Sequence, residues 1–246
     1  MNKLFLRLKK VFLESDFNPG FLGLFFNPFY FSRTALFRDI KSNSQLMKGV
    51  MLDFGCGSKP YKDLFIVDQY IGLDLENSGH DHKDEIIDYF YDGKKLPFED
   101  NSFDSFFSSQ VFEHVPNLES ILEEIFRVLK PGANLLITVP FVWDEHEIPF
   151  DFKRYTSFGI EHTLTNAGFK IVTLKKTTNY VSSIFQLWNA FIFQYVFPEN
   201  RYIKLILTPV FIFPITLLGI FLSKLLPRNN RLFLDNVVIA EKSNQI

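Results

Sequence analysis

Leu52-Asp53-Phe54-Gly55-Cys56-Gly57-Ser58 closes a short apolar run that begins at Val50. Val50–Phe54 is too short for a stable helix and reads as a buried strand. The two glycines at its end let the backbone turn sharply and approach a ligand where any Cβ would stand in the way. Tyr70-Ile71-Gly72-Leu73-Asp74 reads as the second strand. Its last residue lies about 20 residues past the turn, a position from which a carboxylate accepts hydrogen bonds from both hydroxyls of a ribose. The turn departs from the dinucleotide fingerprint G-x-G-x-x-G, because Pro60 stands where the third glycine would be. A pyrophosphate needs close approach to a helix N-terminus. Asp53, beside the turn, suits a cationic ligand better than an anionic one.

Outward from this pair, Phe103–Ser108 reads as a later strand and Asn117–Leu129 as a helix. Leu118, Ile121, Leu122, Ile125, Val128 and Leu129 lie on one face of that helix. Lys130-Pro131-Gly132 is a stop signal, Asn134–Val139 a further strand, and Ser157–Ala167 a helix capped at Gly168. Phe169–Leu174 and Asn236–Lys242 complete the strand pattern. Strands alternating with helices predict an α/β fold, a mostly parallel sheet with helices on both faces.

Composition sets bounds on partners. A formal net charge of -2 argues against a general nucleic-acid binder. A single cysteine excludes an internal disulfide framework and suits a reducing compartment. The basic start, with Lys3, Arg7, Lys9 and Lys10, lacks the uniform apolar stretch and cleavage site of a signal peptide. Four regions follow: a basic aromatic extension (1–48), the ligand-binding core (49–178), an apolar insertion (179–233), and a final strand with its tail (234–246).

The residues from Leu52 to Gly57 resemble motif I of the class I S-adenosylmethionine (SAM)-dependent methyltransferases. Leu96-Pro97-Phe98-Glu99-Asp100-Asn101-Ser102-Phe103-Asp104, Glu113-His114-Val115 and Arg127-Val128-Leu129-Lys130-Pro131-Gly132-Ala133 are similar to the next landmarks of that superfamily, in the expected order. The resemblance implies a Rossmann-like seven-stranded sheet, SAM as cofactor, and individual roles. Gly55 and Gly57 would line its amino-acid end, and Cys56 would fill the turn. Asp74 would hold the ribose, and Asp92 would contact the adenine. Gln110 would lie near the methionine portion. Asp53 would anchor the turn and reach the ammonium group through water. His114 is either a substrate-binding residue or a helix-start residue packed beneath the site.

Pro140–Thr156 follows the fifth strand at the same carboxyl edge and is dense in groups that bind or move protons. It is similar to the segment "PF…H-E/D-x-P-x-D-x-x-R-Y-T" of bacterial methyltransferases of glycan and cell-envelope biosynthesis. Asn27–Arg33 and Gly57–Tyr61 resemble the same group. This implies O-methylation of a sugar or lipid-linked glycan. His146 is expected as general base because its reference pKa lies near neutrality. Asp151 would assist it, and Arg154 and Tyr155 would bind the acceptor. The bland alternative is a lid whose Asp151–Arg154 pair only closes a turn. His80-Asp81-His82 is read as an exposed loop rather than a metal site.

Residues 180–232 contain no Asp and one acidic residue, Glu199. They sit between the last two strands, so the chain must return to the sheet, which excludes a single membrane crossing. Pro209, Pro214 and Gly219 interrupt the most apolar part, and Gln186, Asn189 and Gln194 are unwelcome in hydrocarbon. The expectation is a re-entrant or interfacial helical pair at the cytoplasmic face of the plasma membrane. Trp188 and Tyr195 would sit at the headgroups, with Lys224, Arg228 and Arg231 near anionic lipid. A soluble helical cap or a dimer interface is the alternative. Two other functions stay open: a quinone or lipid methyltransferase, and a non-catalytic partner protein of the same fold.

Overall fold

The computed structural model describes residues 16–76 and 87–243. His80-Asp81-His82 and the basic start of the chain lie outside the described residues. The chain divides into two compact units, Asp39–Lys175 with Asp235–Ile246, and Met1–Arg38 with Lys176–Leu234. Thus the aromatic extension and the insertion, separate in sequence, share one unit.

Seven strands form one sheet: β1 (Val50–Phe54), β2 (Gln69–Leu75), β3 (Tyr89–Tyr91), β4 (Phe103–Ser109), β5 (Leu129–Pro140), β6 (Phe169–Lys176) and β7 (Asp235–Lys242). Besides a single turn at Gly23–Phe26, the helices are α1 (Tyr30–Asn43), α2 (Leu118–Val128), α3 (Ser157–Asn166), α4 (Tyr180–Phe191), α5 (Arg201–Leu207) and α6 (Phe213–Leu225).

The strand order is β3-β2-β1-β4-β5-β7-β6. β1 pairs in parallel with β2 and with β4, and β4 pairs in parallel with β5. β7 runs antiparallel to β5, with Leu136 opposite Ile239. The chain leaves β1 toward β2 on one side and returns to β4 on the other. That reversal opens a crevice at the carboxyl ends of the central strands, the place where such sheets bind ligands. β1 is a near-continuous apolar run because both faces of the sheet are covered there, and β4 buries Phe103, Phe106 and Phe107 with its small serines between them. Leu52, Phe54, Phe106, Leu135 and Ile137 are buried, with α2 contributing Leu118, Ile121, Leu122, Ile125 and Val128.

Two details depart from the sequence reading. β3 is a three-residue edge strand, with Tyr89 and Phe90 exposed, too short to leave a periodic pattern. Lys130-Pro131-Gly132 does end α2, but the chain enters β5 at once, from Leu129. Gly132 takes φ 77°, and the β4–β5 register shifts between Phe103 and Ser105.

The stretches Leu96–Asp104 and Arg127–Ala133 serve each other. Arg127 donates to Glu124 through Nε and Nη2 (2.9 and 2.7 Å), and to the Phe98 and Leu96 carbonyls (2.8 and 3.1 Å). Glu124 in turn accepts the Leu96 N–H at 2.9 Å. This clamp fixes the loop that leads into β4.

In the other unit, α5, a π turn at Thr208–Ile212 and α6 form one helical run, Arg201–Leu225, of 25 residues, whose most apolar 18-residue stretch has mean hydropathy 2.5. It is long and apolar enough to cross a membrane. Pro209 therefore does not break the helix, since it sits in the π turn, where the wider turn accommodates the missing N–H. Gln186 and Asn189 are buried within this unit. Gln186 Oε1 accepts the Phe31 and Ser32 N–H groups at 3.0 and 3.2 Å, and its Nε2 donates to the Pro28 carbonyl at 3.0 Å. It thus satisfies the first turn of α1, whose N–H groups have no partner inside the helix. Asn189 donates to Thr216 Oγ1 at 2.9 Å. Gln186→Leu leaves two helix donors and one carbonyl unpaired in an apolar interior, at about 1–3 kcal/mol for each buried group. A loss of about 3 kcal/mol in denaturant unfolding is the expected result; less than 1 kcal/mol would show that water replaces the amide.

Candidate active site

A cavity of about 550 Å³ opens at the carboxyl ends of the central strands. Each strand delivers its residues as the chain leaves the sheet: Gly55 and Gly57 after β1, Asp74 and Leu75 at the end of β2, Asp92 and Gly93 after β3, Gln110 and Val111 after β4. His114, Val115 and Pro116 form one wall, and Glu147, Phe150 and Phe152, from the loop after β5, form another.

The turn is built for close approach. Gly55 and Gly57 take φ 71° and 45°, in the left-handed region that glycine enters without a Cβ penalty. Asp74 Oδ2 accepts the Gly57 N–H at 2.8 Å, and Oδ1 accepts the Leu75 N–H at 2.7 Å. The carboxylate that faces the cavity is therefore also the brace of the glycine turn. Asp92 Oδ1 accepts from the Lys94 and Lys95 N–H groups, and these bonds hold its exposed carboxyl below the usual carboxylate range. Gln110 takes φ 58° and is tied to Thr138 through both backbone and side chain.

Of the residues expected to bind SAM, Gly55, Gly57, Asp74, Asp92 and Gln110 line the cavity, whereas Asp53 and Cys56 do not. Both lie underneath. Tyr70 donates to the Asp53 carboxyl, so Asp53 does not reach toward an ammonium group. Cys56 Sγ would stand 2.7 Å from a Cβ at Gly72, and burial pushes its thiol well above the ordinary range. Nearby, Lys59 Nζ and the Gly72 N–H both donate to Asp88 Oδ2 at 2.6 Å.

Burial raises Asp53 from 3.8 to about 7, against the lowering effects of the Tyr70 hydrogen bond and the Lys59 charge. A raised acid binds its proton more tightly in the folded chain, so the folded state holds more protons between pH 4 and 7. Stability from this group is complete below about pH 4 and is lost as pH rises through 7. Asp53→Asn keeps the neutral form at every pH. Its denaturant unfolding should match the wild type at about pH 3.5 and exceed it at about pH 8 by about 2–4 kcal/mol. Equal slopes with pH in the two proteins would count against a buried neutral Asp53.

The segment after β5 differs from its expected use. Asp151 is not placed as a base. Burial alone would raise it, but hydrogen bonds from Arg154 and from the His146 N–H outweigh burial and hold it at about 2. Arg154 is not available as an acceptor clamp. It forms a two-pronged pair with Asp151 (2.5 and 2.6 Å) and donates to the Asp144 carbonyl at 2.8 Å. Tyr155 is buried and donates to the Phe112 carbonyl at 3.2 Å. His146 stands behind the cavity wall, its ring edge-on to His114 with centroids 4.8 Å apart. These residues shape the loop, which is pinned to the post-β4 turn by Phe152 N–H to the Glu113 carbonyl at 2.9 Å.

His114 is the imidazole on the cavity. Its Nδ1 lies 2.9 Å from the Phe150 carbonyl oxygen. A carbonyl only accepts, so Nδ1 carries the proton and Nε2 bears the lone pair. Nε2 stands 3.6 Å from Glu147 Oε2 and 3.8 Å from Glu113 Oε1. Glu113 and Glu147 went unassigned in the sequence reading. Glu113 is wholly buried, and burial, partly offset by its own backbone N–H and Arg154, pushes it up to about 8. The adjacent Glu-His pair was the available signal, but nothing in the pattern says which of the two points inward.

The cradle fits SAM on three observations: a backbone that a Cβ would obstruct, a carboxylate at the end of β2, and a further acid at the end of β3. Bound there, SAM supplies an electrophilic methyl group on a cationic sulfur that departs as a neutral thioether.

Residues 52–137 match the family described as methyltransferase domain. A phosphoethanolamine N-methyltransferase of Caenorhabditis elegans is 34% identical over 112 residues, covering 42% of this chain and 25% of that protein. A ubiquinone/menaquinone biosynthesis C-methyltransferase of Bartonella quintana is 30% identical over 123 residues, covering 38% and 47%. The chain thus spans a quarter to about half the length of these relatives. A phosphoethanolamine N-methyltransferase of Haemonchus contortus, solved with SAM, superposes with a TM-score of 0.52 at 22% identity, covering 84% of this chain and 52% of that one. That likeness is one of fold. The glycine turn, the carboxylate at the end of β2 and the seven-stranded order agree with the match of residues 52–137 to a methyltransferase domain, and the fold of the sheet-bearing unit is that of the solved SAM-bound methyltransferase.

Proposed function

We propose that this chain methylates an oxygen, or an acidic carbon beside one, on a compact head group carried by a membrane lipid or isoprenoid. The single observation that carries the reading is the composition of the cavity. Beyond the cofactor cradle its walls are Val111, Val115, Pro116, Phe150 and Phe152, with His114 and Glu147 as the polar groups. Such a wall suits a flat or mostly apolar head better than a heavily hydroxylated one. Catalysis here is chiefly positioning, since bringing acceptor and methyl group together in line supplies most of what a displacement needs. The acceptor proton has two receivers on the wall, His114 Nε2 and the Glu147 carboxylate.

Glycan O-methylation is the second reading, favoured by the Pro140–Thr156 pattern. The engagement of Arg154 by Asp151 removes the cation expected to hold an acidic sugar. A turnover panel of quinols, phosphoethanolamine lipids and lipid-linked sugars, with labelled SAM, separates the two. Methyl incorporation into sugars alone would overturn the first.

Attachment to the inner membrane face is part of the same proposal. Trp188, Tyr195, Tyr202, Ile206, Phe211, Phe221 and Leu225 are exposed on the helical unit. Monomers rarely leave apolar surface of that extent to water, and aromatic side chains with one polar end favour the interface. Flotation with vesicles containing anionic lipid should recover the wild-type chain. Ile206→Glu with Phe221→Glu should reduce the floated fraction at least tenfold. Equal flotation of both proteins would exclude this face as the contact.

A further inference from the structure

We infer that Glu113, His114 and His146 form a binding site for one divalent transition-metal ion, at the wall of the cavity where His114 lines it and His146 and Glu113 stand behind. Their ligand atoms, one per residue, all lie within 4.8 Å of one another. Around an ion bound at about 2.1 Å in tetrahedral geometry, ligand atoms stand about 3.4 Å apart. His114 Nε2 and Glu113 Oε1 are already at 3.8 Å. Closing the widest gap takes at most about 1.4 Å, within reach of side-chain rotation on a loop and a short turn.

Three independent features point to a cation. First, both oxygens of Glu113 are fully buried without a hydrogen-bond partner. Buried polar atoms in folded proteins are almost always paired, and a carboxyl group with neither oxygen bonded to another residue is a costly exception. Second, both imidazoles are oriented as metal ligands are. His114 Nδ1 faces the Phe150 carbonyl at 2.9 Å. His146 Nδ1 faces the Asp144 carbonyl at 3.1 Å and Asp151 Oδ2 at 3.2 Å. These nearest partners are acceptors, with the Arg154 Nη2 donor farther from His146 Nδ1 at 3.5 Å, so the closer contacts favour a proton on Nδ1 and leave Nε2 to present. Histidines that bind metals are held in one tautomer by such partners. Third, Asp151 neutralises Arg154 through its two-pronged pair, which removes the positive charge that would otherwise oppose a cation beside Glu113.

Two imidazoles and a carboxylate are a donor set for zinc, manganese or ferrous iron rather than for magnesium or calcium, which prefer oxygen alone. Glu147, whose Oε2 is 3.6 Å from His114 Nε2, stands where a fourth ligand or a proton receiver is needed. Resting on the proposed methyl transfer, the ion would hold the acceptor oxygen and lower its pKa. The acceptor's proton would pass to Glu147 as the new bond forms between that oxygen and the methyl carbon and the methyl–sulfur bond breaks, its electron pair leaving with the sulfur as a neutral thioether.

The test uses the full chain in detergent, stripped with chelator and titrated with Co2+ and Zn2+. Visible absorption and elemental analysis read the bound metal, and calorimetry with SAM runs in parallel. One ion per chain is expected for the wild type. Binding should fall at least 100-fold in Glu113→Gln and in His146→Asn, the latter at a half-exposed position where folding is not at risk. Asp151→Asn, which removes a partner behind His146, should weaken metal about 10- to 100-fold. Asp74→Asn should leave metal binding intact while weakening SAM. No stoichiometric metal in the wild type, or equal binding by wild type and His146→Asn, would overturn the site. Loss of SAM binding alone would sink the methyltransferase reading and not the metal.

Discussion

Asp74→Ala should weaken SAM binding about 100- to 1000-fold with the sheet still folded. The carboxylate at the end of β2 faces the cavity, and a hydrogen bond to a charged acceptor contributes about 1.5–3 kcal/mol. Two ribose hydroxyls on one carboxylate account for about 3–4 kcal/mol. The same oxygens accept the Gly57 and Leu75 N–H groups, so alanine also frees the turn to wander. Asp74→Asn retains one acceptor oxygen and should lose about tenfold to thirtyfold. Calorimetric titration with SAM gives the ratio directly. A change within threefold for alanine would mean that the ligand's hydroxyls pair elsewhere.

Gly55→Ala is expected to have the largest effect on stability for the fewest atoms. At φ 71° an L side chain is strained, by about 1–2 kcal/mol. Its Cβ would also stand 2.4 and 2.5 Å from the two methyl carbons of Val111. Overpacking of this kind costs about 1–3 kcal/mol. The sum is a loss of about 2–5 kcal/mol in denaturant unfolding, together with loss of SAM binding. Adding Val111→Ala should restore the packing part and leave the backbone part, so the double variant separates the causes. Full recovery in the double variant would show that the backbone conformation is not strained for alanine.

β1 and the second half of β5 were legible because burial on both faces writes itself as a mostly apolar run, and α2 because its inward face repeats with helical period. β3 was not, since three edge residues carry no period. The glycine turn and Asp74 were readable from spacing, because cofactor contact there depends on where the strands end. The acceptor side was not. Pro140–Thr156 shows many ionisable residues, but sequence cannot tell a catalytic carboxylate from one pledged to a neighbour. Asp151 and Arg154 satisfy each other three residues apart, and this local pairing takes both out of the chemistry. Glu113 escaped notice for the opposite reason: an acidic residue is read as exposed until a structure shows it buried. In the helical unit, polar residues that counted against hydrocarbon proved to be internal fasteners, Gln186 on α1 and Asn189 on Thr216.

β7 is the last strand to be synthesised, yet it lies inside the sheet, between β5 and β6. While the ribosome is still making residues 177–234, the seam that β7 will fill has no occupant, and the main-chain groups of β5 that will pair with it must find water. A sheet whose edge strand came last would finish gradually. This one is closed by a late insertion one strand in from its edge, between β5 and β6, a contact of long sequence separation and correspondingly slow to form. The order of birth is therefore fixed: no nascent chain has a complete catalytic sheet before its apolar helices exist.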